Sequence, residues 1–267
     1  MHPMLNIAIR AARAAGSVVA RAFENTDKVE VEAKGKFDFV TNFDLEAEQI
    51  IIDTLRKSYP EHSIVSEECG VLPGKDSDYQ WIIDPIDGTT NFVKGIPHFA
   101  VSIALKVKGK LDQAVIYDPI RGELFTASRG KGAQLNSSRI RIKAHKELSG
   151  TILATALPYK QKASSDAYFA MYQALFSKAA DIRSAGCPSL DLAYIAAGRM
   201  DGLFELGLKP WNTSAGELLV IEAGGLVTDF VGGHNHSQNG NIVAASPRLL
   251  KEILTDVRPH LTPAMKL

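Results

Sequence analysis

Nine consecutive residues in the first half of the chain combine two carboxylates, a proline, a glycine and two hydroxyls: Asp84-Pro85-Ile86-Asp87-Gly88-Thr89-Thr90-Asn91-Phe92. They follow Gln80-Trp81-Ile82-Ile83, a short apolar run that is typical of a buried strand. Ligand sites in α/β proteins gather where strands end. We therefore expect the two carboxylates to lie together at the end of a strand, where the chain turns.

The residue types in this motif suit a hard cation and a phosphate group. Pro85 biases Asp84 toward an extended conformation, which helps both Asp side chains and the Ile86 carbonyl to face one point. Mg²⁺ binds oxygen ligands of this kind. Gly88 lets the backbone approach a ligand closely, and the two threonines after it would lie at a helix N-terminus, where an anion is favoured. An Asp-Gly turn with a threonine cap is the simpler interpretation, but the motif has more acids and glycine than a turn needs.

Four segments of the chain resemble the inositol monophosphatase family of Mg²⁺-dependent, Li⁺-sensitive phosphatases. The first is the motif above. The others, in chain order, are Asp38-Phe39-Val40-Thr41-Asn42-Phe43-Asp44 (D-x-V-T-x-x-D), Ser66-Glu67-Glu68 (a glutamate pair) and Pro210-Trp211-Asn212-Thr213-Ser214-Ala215-Gly216 (a second signature). The N-terminal Met1-His2-Pro3-Met4-Leu5-Asn6-Ile7-Ala8 and the length of 267 residues are similar to the bacterial SuhB-type branch of that family.

The resemblance implies an α+β fold, a layered α-β-α-β-α sandwich of the inositol monophosphatase and fructose-1,6-bisphosphatase type. Residues 1–148 would form an N-terminal α+β half with most metal ligands, and residues 149–267 a C-terminal α/β half that completes the substrate site, as one compact catalytic unit. The residue pattern agrees. It predicts helices over residues 4–23 and 45–59, an antiparallel meander that ends near residues 139–143, and alternating strands and helices after about residue 150.

The resemblance also implies three groups of site residues. Residues expected to bind Mg²⁺ are Glu67, Asp84, Asp87, Asn212 and, through its carbonyl, Ile86. Residues expected to be catalytic are Asp44, Glu67 and Thr89. Water activated by the metal would lie near Glu67 and Thr89, and Asp44 would help to orient or deprotonate it. Residues expected to bind substrate are Gly88, Thr89, Thr90, Arg183, Gly186, Cys187, Glu205 and Asn212.

Several of these residues have a simpler interpretation. Asp44 follows Thr41 at capping-box spacing, which is typical of a helix N-terminus. Glu67 could belong to an ordinary acidic loop after a strand. A lone glutamate such as Glu205 is more often solvated, and Arg183 could be structural or a dimer contact instead of a substrate ligand.

Two segments depart from the family pattern. Asn212 stands where the second signature has an aspartate, so an oxygen ligand is kept but a negative charge is lost, which should weaken Mg²⁺ binding there. The segment Arg183-Ser184-Ala185-Gly186-Cys187-Pro188-Ser189-Leu190-Asp191-Leu192 resembles R-x-T-G-S-A-A-x-D-L but differs at four positions. Pro188 removes an amide donor, so the alcohol pocket should differ in shape.

Composition and charge narrow the function classes. A formal net charge of +0, from 30 basic and 30 acidic residues, gives no electrostatic case for direct nucleic-acid or membrane binding. Residues 4–23 form an amphipathic pattern that differs from a signal peptide or a membrane span. Two cysteines cannot form a disulfide framework, which favours the cytoplasm.

We interpret the chain as a Mg²⁺-dependent phosphomonoesterase that hydrolyses inositol 1-phosphate or a similar polyol phosphate, and expect a homodimer. Two alternatives remain open. The SuhB-type branch is associated with transcription antitermination, which predicts a protein-binding module for RNA polymerase or Nus factors with weakened catalysis. Another phosphatase of the superfamily, specific for fructose bisphosphate or a nucleotide, is the second alternative. The sequence has no C-x-x-x-x-x-R, G-x-S-x-G or G-x-x-x-x-G-K-[ST] motif of other enzyme classes.

Overall fold

Helices and strands alternate along a computed structural model that describes residues 2–25, 29–35, 38–158 and 161–266. Met1 and the side chain of Asp38, which belong to segments quoted above, lie outside this description. The helices are α1 (Pro3–Glu24), α2 (Asn42–Ser58), α3 (Thr89–Val93), α4 (Ser165–Phe176), α5 (Pro188–Ala196), α6 (Pro210–Glu222), α7 (His236–Asn239) and α8 (Pro247–Val257). The strands are β1 (Val31–Gly35), β2 (Asp38–Thr41), β3 (His62–Ser66), β4 (Gly70–Leu72), β5 (Asp76–Asp87), β6 (Ala100–Val107), β7 (Lys110–Asp118), β8 (Glu123–Ser128), β9 (Gly132–Leu135), β10 (Ser138–Ile140), β11 (Ile152–Ala154), β12 (Asp181–Arg183), β13 (Gly202–Glu205), β14 (Leu226–Thr228) and β15 (Ile242–Ala245).

The first part of the chain builds an eight-stranded sheet with α1 and α2 on one face. Its strand order is β10-β9-β8-β7-β6-β5-β3-β4, and β3 pairs with β5 in parallel while the other pairs are antiparallel. Small residues allow α1 to lie close to the sheet: a Cβ atom on Gly16 would lie 2.7 Å from the ring of Tyr117 on β7. The predicted amphipathic helix therefore covers the sheet with its apolar face. Within the described ranges, no helix has the length and apolar character needed to cross a membrane.

The second part of the chain builds a five-stranded sheet with the order β12-β11-β13-β15-β14. Helices α5 and α6 lie between the two sheets and therefore bury apolar residues on more than one side. Examples are Leu190 and Leu192 on α5 and Leu218 and Leu219 on α6. Helices α4 and α8 cover the outer face of the five-stranded sheet. The layers therefore run α-β-α-β-α, which confirms the predicted architecture.

Two predicted elements have different ends in the structure. Helix α2 begins at Asn42, three residues before the predicted start, because Thr41 and Asp44 form a capping box at its N-terminus. The predicted strand that included Arg141 and Lys143 ends at Ile140. After that residue the backbone leaves the sheet, and the Ile142 N–H donates to the Ala223 carbonyl at 3.1 Å, just beyond α6.

Candidate active site

The two acids of the first motif share one face of the eight-stranded sheet because β5 contains a bulge. Asp84 pairs with Ser102 of β6 and Asp87 pairs with Ala100, so three residue steps on β5 match two on β6. Side chains alternate between faces along a regular strand, so an odd number of steps would put the acids on opposite faces. The extra residue returns Asp87 to the face of Asp84. Both buried side chains consequently contact the helices between the sheets, through Ser189 of α5 and Asn212 of α6.

Asp84 is the most enclosed acid of the site, with no exposed surface. Its Oδ2 atom accepts a hydrogen bond from Asn212 Nδ2 at 2.9 Å, whereas its buried Oδ1 atom has no hydrogen-bond partner among the described residues. Burial, followed by repulsion from Glu67 and Asp87, raises the pKa of Asp84 well above its usual value. A buried carboxylate with a free oxygen and acidic neighbours is a position where a cation is strongly favoured.

Asp87 is held by the start of α5. Its Oδ2 atom accepts hydrogen bonds from the Ser189 N–H at 2.7 Å and from Cys187 Sγ at 3.2 Å. Burial raises the pKa of Asp87, and these hydrogen bonds oppose that rise. Pro188 occupies the first turn of α5, where a helix does not need its amide hydrogen, and the next amide makes the contact. Cys187 therefore lies behind Asp87 and does not line the cavity described below.

The turn after Asp87 is held close to a second loop. Gly88 has a φ of 96°, which favours glycine, and a Cβ atom there would lie 3.1 Å from the His98 carbonyl and 3.3 Å from that of Gly186. Asn91 Nδ2 donates to the carbonyls of His98 and Ala185, both at 2.8 Å. The asparagine of the motif thus joins the Gly88 turn to the loop that carries Gly186.

Asp44 caps α2 and also contacts Thr89 of the first motif. Its Oδ2 atom accepts from the Thr41 N–H at 2.8 Å and completes the cap of α2. Its Oδ1 atom accepts from the Thr89 hydroxyl at 3.2 Å, and the Ile86 carbonyl lies 3.0 Å from the same hydroxyl. The cap therefore fixes a buried carboxylate within reach of the first motif.

The turn that carries Glu67, between β3 and β4, is held by Glu48, a residue that the sequence analysis did not single out. Glu48 lies one turn after Asp44 on α2 and is buried. Its Oε1 atom accepts from the N–H groups of Glu68 at 3.0 Å and Cys69 at 3.3 Å, and from the Ser66 hydroxyl. The signal in the sequence was an acid on the apolar face of a helix, four residues after another acid.

A cavity of about 200 Å³ opens beside these acids. Of the residues predicted for the site, those that line it are Glu67, Ile86, Asp87, Gly88, Thr89, Thr90, Gly186, Glu205 and Asn212. Asp44, Asp84 and Cys187 lie behind this lining. A larger groove of about 610 Å³ lies elsewhere, between the start of α1 and the β7–β9 strands, but it lacks a cluster of buried acids, so we assign the chemistry to the smaller cavity.

Glu205 is buried, with 5% of its surface exposed, so the solvated alternative is wrong. Burial, together with repulsion from Asp191 and Asp87, raises its pKa well above the usual value. Asp191 was also missed from the sequence. It is buried on α5, its Oδ1 atom has no hydrogen-bond partner in the described part of the chain, and burial followed by the charge of Asp87 raises its pKa to about 8.

Arg183, like Cys187, is a predicted substrate residue that does not line the cavity. It ends β12, forms an ion pair with Asp181 at 2.8 Å, and has 58% of its side chain exposed. Its side chain is thus paired with an acid two residues earlier on the same strand.

The residues around the cavity fit a hard divalent cation. Its lining provides carboxylate, amide and carbonyl oxygens and contains no histidine or cysteine. Across residues 2–25, 29–35, 38–158 and 161–266, no three His, Cys, Asp or Glu side chains already surround a common point. Protein donors instead occupy one oxygen each of Asp84 and Asp87. Because Asp84 Oδ1 has no hydrogen-bond partner among the described residues, these residues leave one oxygen of the buried pair available to a cation.

A model of the inositol monophosphatase family matches residues 1–262. The chain belongs to the inositol monophosphatase family. Among proteins of this family it is 58% identical to the Nus factor SuhB of Escherichia coli strain K12 over 266 residues, covering 100% of both chains.

Solved structures agree with this assignment. The extragenic suppressor protein SuhB from Bartonella henselae superposes with a TM-score of 0.95 at 39% identity, covering 97% of this chain and 100% of that one. The inositol monophosphatase from Anabaena sp. PCC 7120 superposes with a TM-score of 0.85 at 34% identity, covering 98% of each chain. The inositol monophosphatase fold is therefore shared along nearly the whole length.

Asn212 distinguishes this member from the signature of the inositol monophosphatase family. The prediction gave it an oxygen ligand for the metal, but in the structure its Oδ1 atom accepts from the Lys209 N–H at 3.1 Å at the start of α6. The amide nitrogen, not the oxygen, faces Asp84. Asn212 therefore lies beside the acids, with its NH₂ group toward Asp84 and its oxygen toward the start of α6.

Proposed function

We propose that this chain is a Mg²⁺-dependent phosphomonoesterase that hydrolyses inositol 1-phosphate or a similar polyol phosphate. The observation that carries the proposal is the buried pair Asp84 and Asp87 beside Glu67. Burial and repulsion from Glu67 and Asp87 raise the pKa of Asp84, which means that the surrounding residues alone disfavour its charged form. A divalent cation would relieve this repulsion, and family membership supports a metal-dependent phosphatase.

Hydrolysis of a phosphate monoester requires neutralised phosphoryl oxygens, an activated water and a stabilised alkoxide leaving group. Mg²⁺, when bound, would supply positive charge for all three. Glu67, Asp84, Asp87 and the Ile86 carbonyl would hold it, because they provide the oxygen donors at and behind the cavity lining.

Thr89 and Asp44 would move the proton. The Thr89 hydroxyl has one hydrogen, which it donates to Asp44 or to the Ile86 carbonyl, and its lone pairs can accept a hydrogen from water in the cavity. The proton of the attacking water could pass to the Thr89 oxygen while the threonine hydrogen passes to Asp44. Because Asp44 is fixed by the cap of α2, this route does not require the helix to move.

The rest of the cavity suits a small alcohol. Gly88, Thr89 and Thr90 would bring backbone amides and hydroxyls toward a phosphate, and Gly186 and Glu205 also line the cavity. With its pKa raised, Glu205 can carry a proton and both donate to and accept from substrate hydroxyls. A volume of about 200 Å³ is below the range typical of larger ligands, which favours a polyol phosphate over a nucleotide.

A phosphate-release assay tests the proposal. Inositol 1-phosphate, glycerol 2-phosphate, fructose 1,6-bisphosphate and adenosine 3′,5′-bisphosphate would each be tested with Mg²⁺ and after metal removal. We expect the polyol phosphates to be hydrolysed fastest and only with Mg²⁺. Preference for either of the last two substrates would favour the superfamily alternatives, and no release from any of them would refute the proposal.

Asp87→Asn is the matched inactive control. The asparagine keeps the shape of the side chain and an oxygen that can accept from the Ser189 N–H, but removes the charge. We expect unchanged circular dichroism, because the substitution does not alter packing. Turnover should fall by orders of magnitude, because the substitution removes a negative charge that would bind the cation.

A second function is favoured by the name of the relative that is 58% identical along the full chain, a Nus factor. We propose that the chain also binds RNA polymerase or Nus factors as a protein module, since its net charge of +0 gives no support for direct binding to nucleic acid. Pull-down with purified RNA polymerase and Nus factors tests this. Equal binding by the parent and Asp87→Asn would show that the two functions are separate, and no binding by either would exclude the module.

A cytoplasmic location and a homodimer are part of the proposal. Within the described residues both cysteines are free thiols, one exposed and one buried, which agrees with a reducing compartment. Sedimentation of the purified protein would give the number of chains.

A further inference from the structure

The amide of Asn212 is oriented by two different partners. Its Nδ2 atom donates to Asp84 Oδ2 at 2.9 Å, and its Oδ1 atom accepts from the Lys209 N–H at 3.1 Å. A backbone N–H can only donate, and an ionised carboxylate can only accept. These partners therefore fix the NH₂ group toward the acids and turn the oxygen toward the start of α6.

The NH₂ group of Asn212 occupies one oxygen of Asp84, and the Ser189 N–H and the Cys187 thiol occupy one oxygen of Asp87. The amide therefore supplies partial positive charge to Asp84 on the side that faces α6. A cation bound between the carboxylates would supply a larger positive charge at the same place.

We propose that Asn212 takes the place of one cation: its amide binds Asp84 directly, so this chain holds one divalent ion fewer than its Asn212→Asp variant. The inference rests on the proposed function, because it takes the acids to be the metal site. An ionised aspartate at this position could not donate to Asp84 and would add a negative charge to those of Glu67, Asp84 and Asp87, which a further ion would have to neutralise. The asparagine thus sets the number of ions that the acids require.

Counting bound Mn²⁺ tests the inference without reference to activity. The parent, Asn212→Asp and Asn212→Ala would be titrated with Mn²⁺ by electron paramagnetic resonance, and thermal unfolding would be followed after metal removal. We expect one additional Mn²⁺ per chain in Asn212→Asp. Without metal, that variant should unfold at a lower temperature than the parent, because two carboxylates then face each other without a donor. Asn212→Ala adds no charge and should gain no ion, but it should bind Mn²⁺ more tightly than the parent, because the amide no longer occupies an oxygen of Asp84.

Asn6→Asp is the matched control, since it adds the same charge on the exposed face of α1. It should leave the number of bound Mn²⁺ ions unchanged, and it should not lower the unfolding temperature of the metal-free protein as Asn212→Asp does. Equal counts and affinities in the parent and Asn212→Asp would overturn the inference and leave the proposed function intact. Absence of bound Mn²⁺ in both would overturn the inference and the proposed function together.

Discussion

Asp44 and Thr89 are joined by a hydrogen bond of 3.2 Å that connects a helix cap to the first motif. One oxygen of Asp44 closes the N-terminus of α2, and the other accepts from the threonine hydroxyl. A single carboxylate therefore fixes the start of a helix and the hydroxyl that lines the cavity. Folding of α2 and orientation of Thr89 depend on the same side chain.

Thr89→Val should abolish most phosphate release while the protein stays folded. Valine has nearly the shape of threonine but no hydroxyl, so the route to Asp44 is lost while the cap of α2 remains. We expect kcat to fall about 10²–10⁴-fold with little change in KM, as is typical when general-base assistance is removed. Thr89→Ser should restore much of the rate. Steady-state kinetics of the three forms measures this, and a Thr89→Val variant with normal kcat would contradict the role.

Glu48→Gln should weaken metal binding from a distance. Glutamine keeps one oxygen for the N–H groups of Glu68 and Cys69, but its NH₂ end changes the contacts around the turn that carries Glu67. We expect the Mg²⁺ concentration for half activation to rise by about 10–100-fold, the range found when groups that orient ligands are changed.

Glu46→Gln is the control for this prediction, because Glu46 is exposed on the same helix. Mg²⁺ titration of phosphate release compares the two variants with the parent. If Glu48→Gln follows the curve of the parent, the turn is held without this carboxylate.

Removal of metal should stop phosphate release and lower the unfolding temperature. The acids around Asp84 then repel one another in a buried site, whereas a cation that binds only the folded state stabilises it. Mg²⁺ should restore activity, Zn²⁺ should restore it poorly because the cavity lining has no nitrogen or sulfur side-chain ligand from His or Cys, and Li⁺ should inhibit. Full activity in excess EDTA would disprove the metal requirement.

Asp191→Asn should make the metal-free protein less sensitive to high pH. The folded pKa of Asp191 is about 8, against an ordinary value of 3.8. Between these values the unfolded chain loses the proton and the folded chain keeps it, so stability falls as pH rises and levels off above pH 8. The asparagine has no proton to lose. The unfolding temperature of the variant should therefore exceed that of the parent by a margin that grows from pH 5 to pH 8.

Thermal unfolding across this pH range, in the presence of chelator, gives the comparison. Asp53→Asn, an exposed change on α2, should run parallel to the parent at every pH. A constant difference between Asp191→Asn and the parent would show that Asp191 ionises normally when folded.

The sequence predicted the part of the site that is built by neighbouring residues. Asp84, Asp87 and Thr89 occur within six residues, so one short motif indicates that they act together. Glu48 and Asp191 escaped notice because their roles arise from contacts between distant segments: Glu48 binds a turn 20 residues away, and Asp191 is buried beside Asp87. Local pattern carries no information about such contacts.

The same limit applies to the fold. The helices predicted over residues 4–23 and 45–59 from their apolar spacing are present as α1 and α2, whereas the short strands Asp181–Arg183 and Leu226–Thr228 were not predicted. Three residues are too few to show alternation, and these strands exist because neighbouring strands in the five-stranded sheet pair with them.

The bulge in β5 means that the first motif depends on its backbone as much as on its acids. If the three residue steps from Asp84 to Asp87 were regular, the second acid would face α1 and α2, away from the cavity and from the helices that hold it. A change that straightened β5 would therefore separate the two carboxylates while leaving both of them in the sequence.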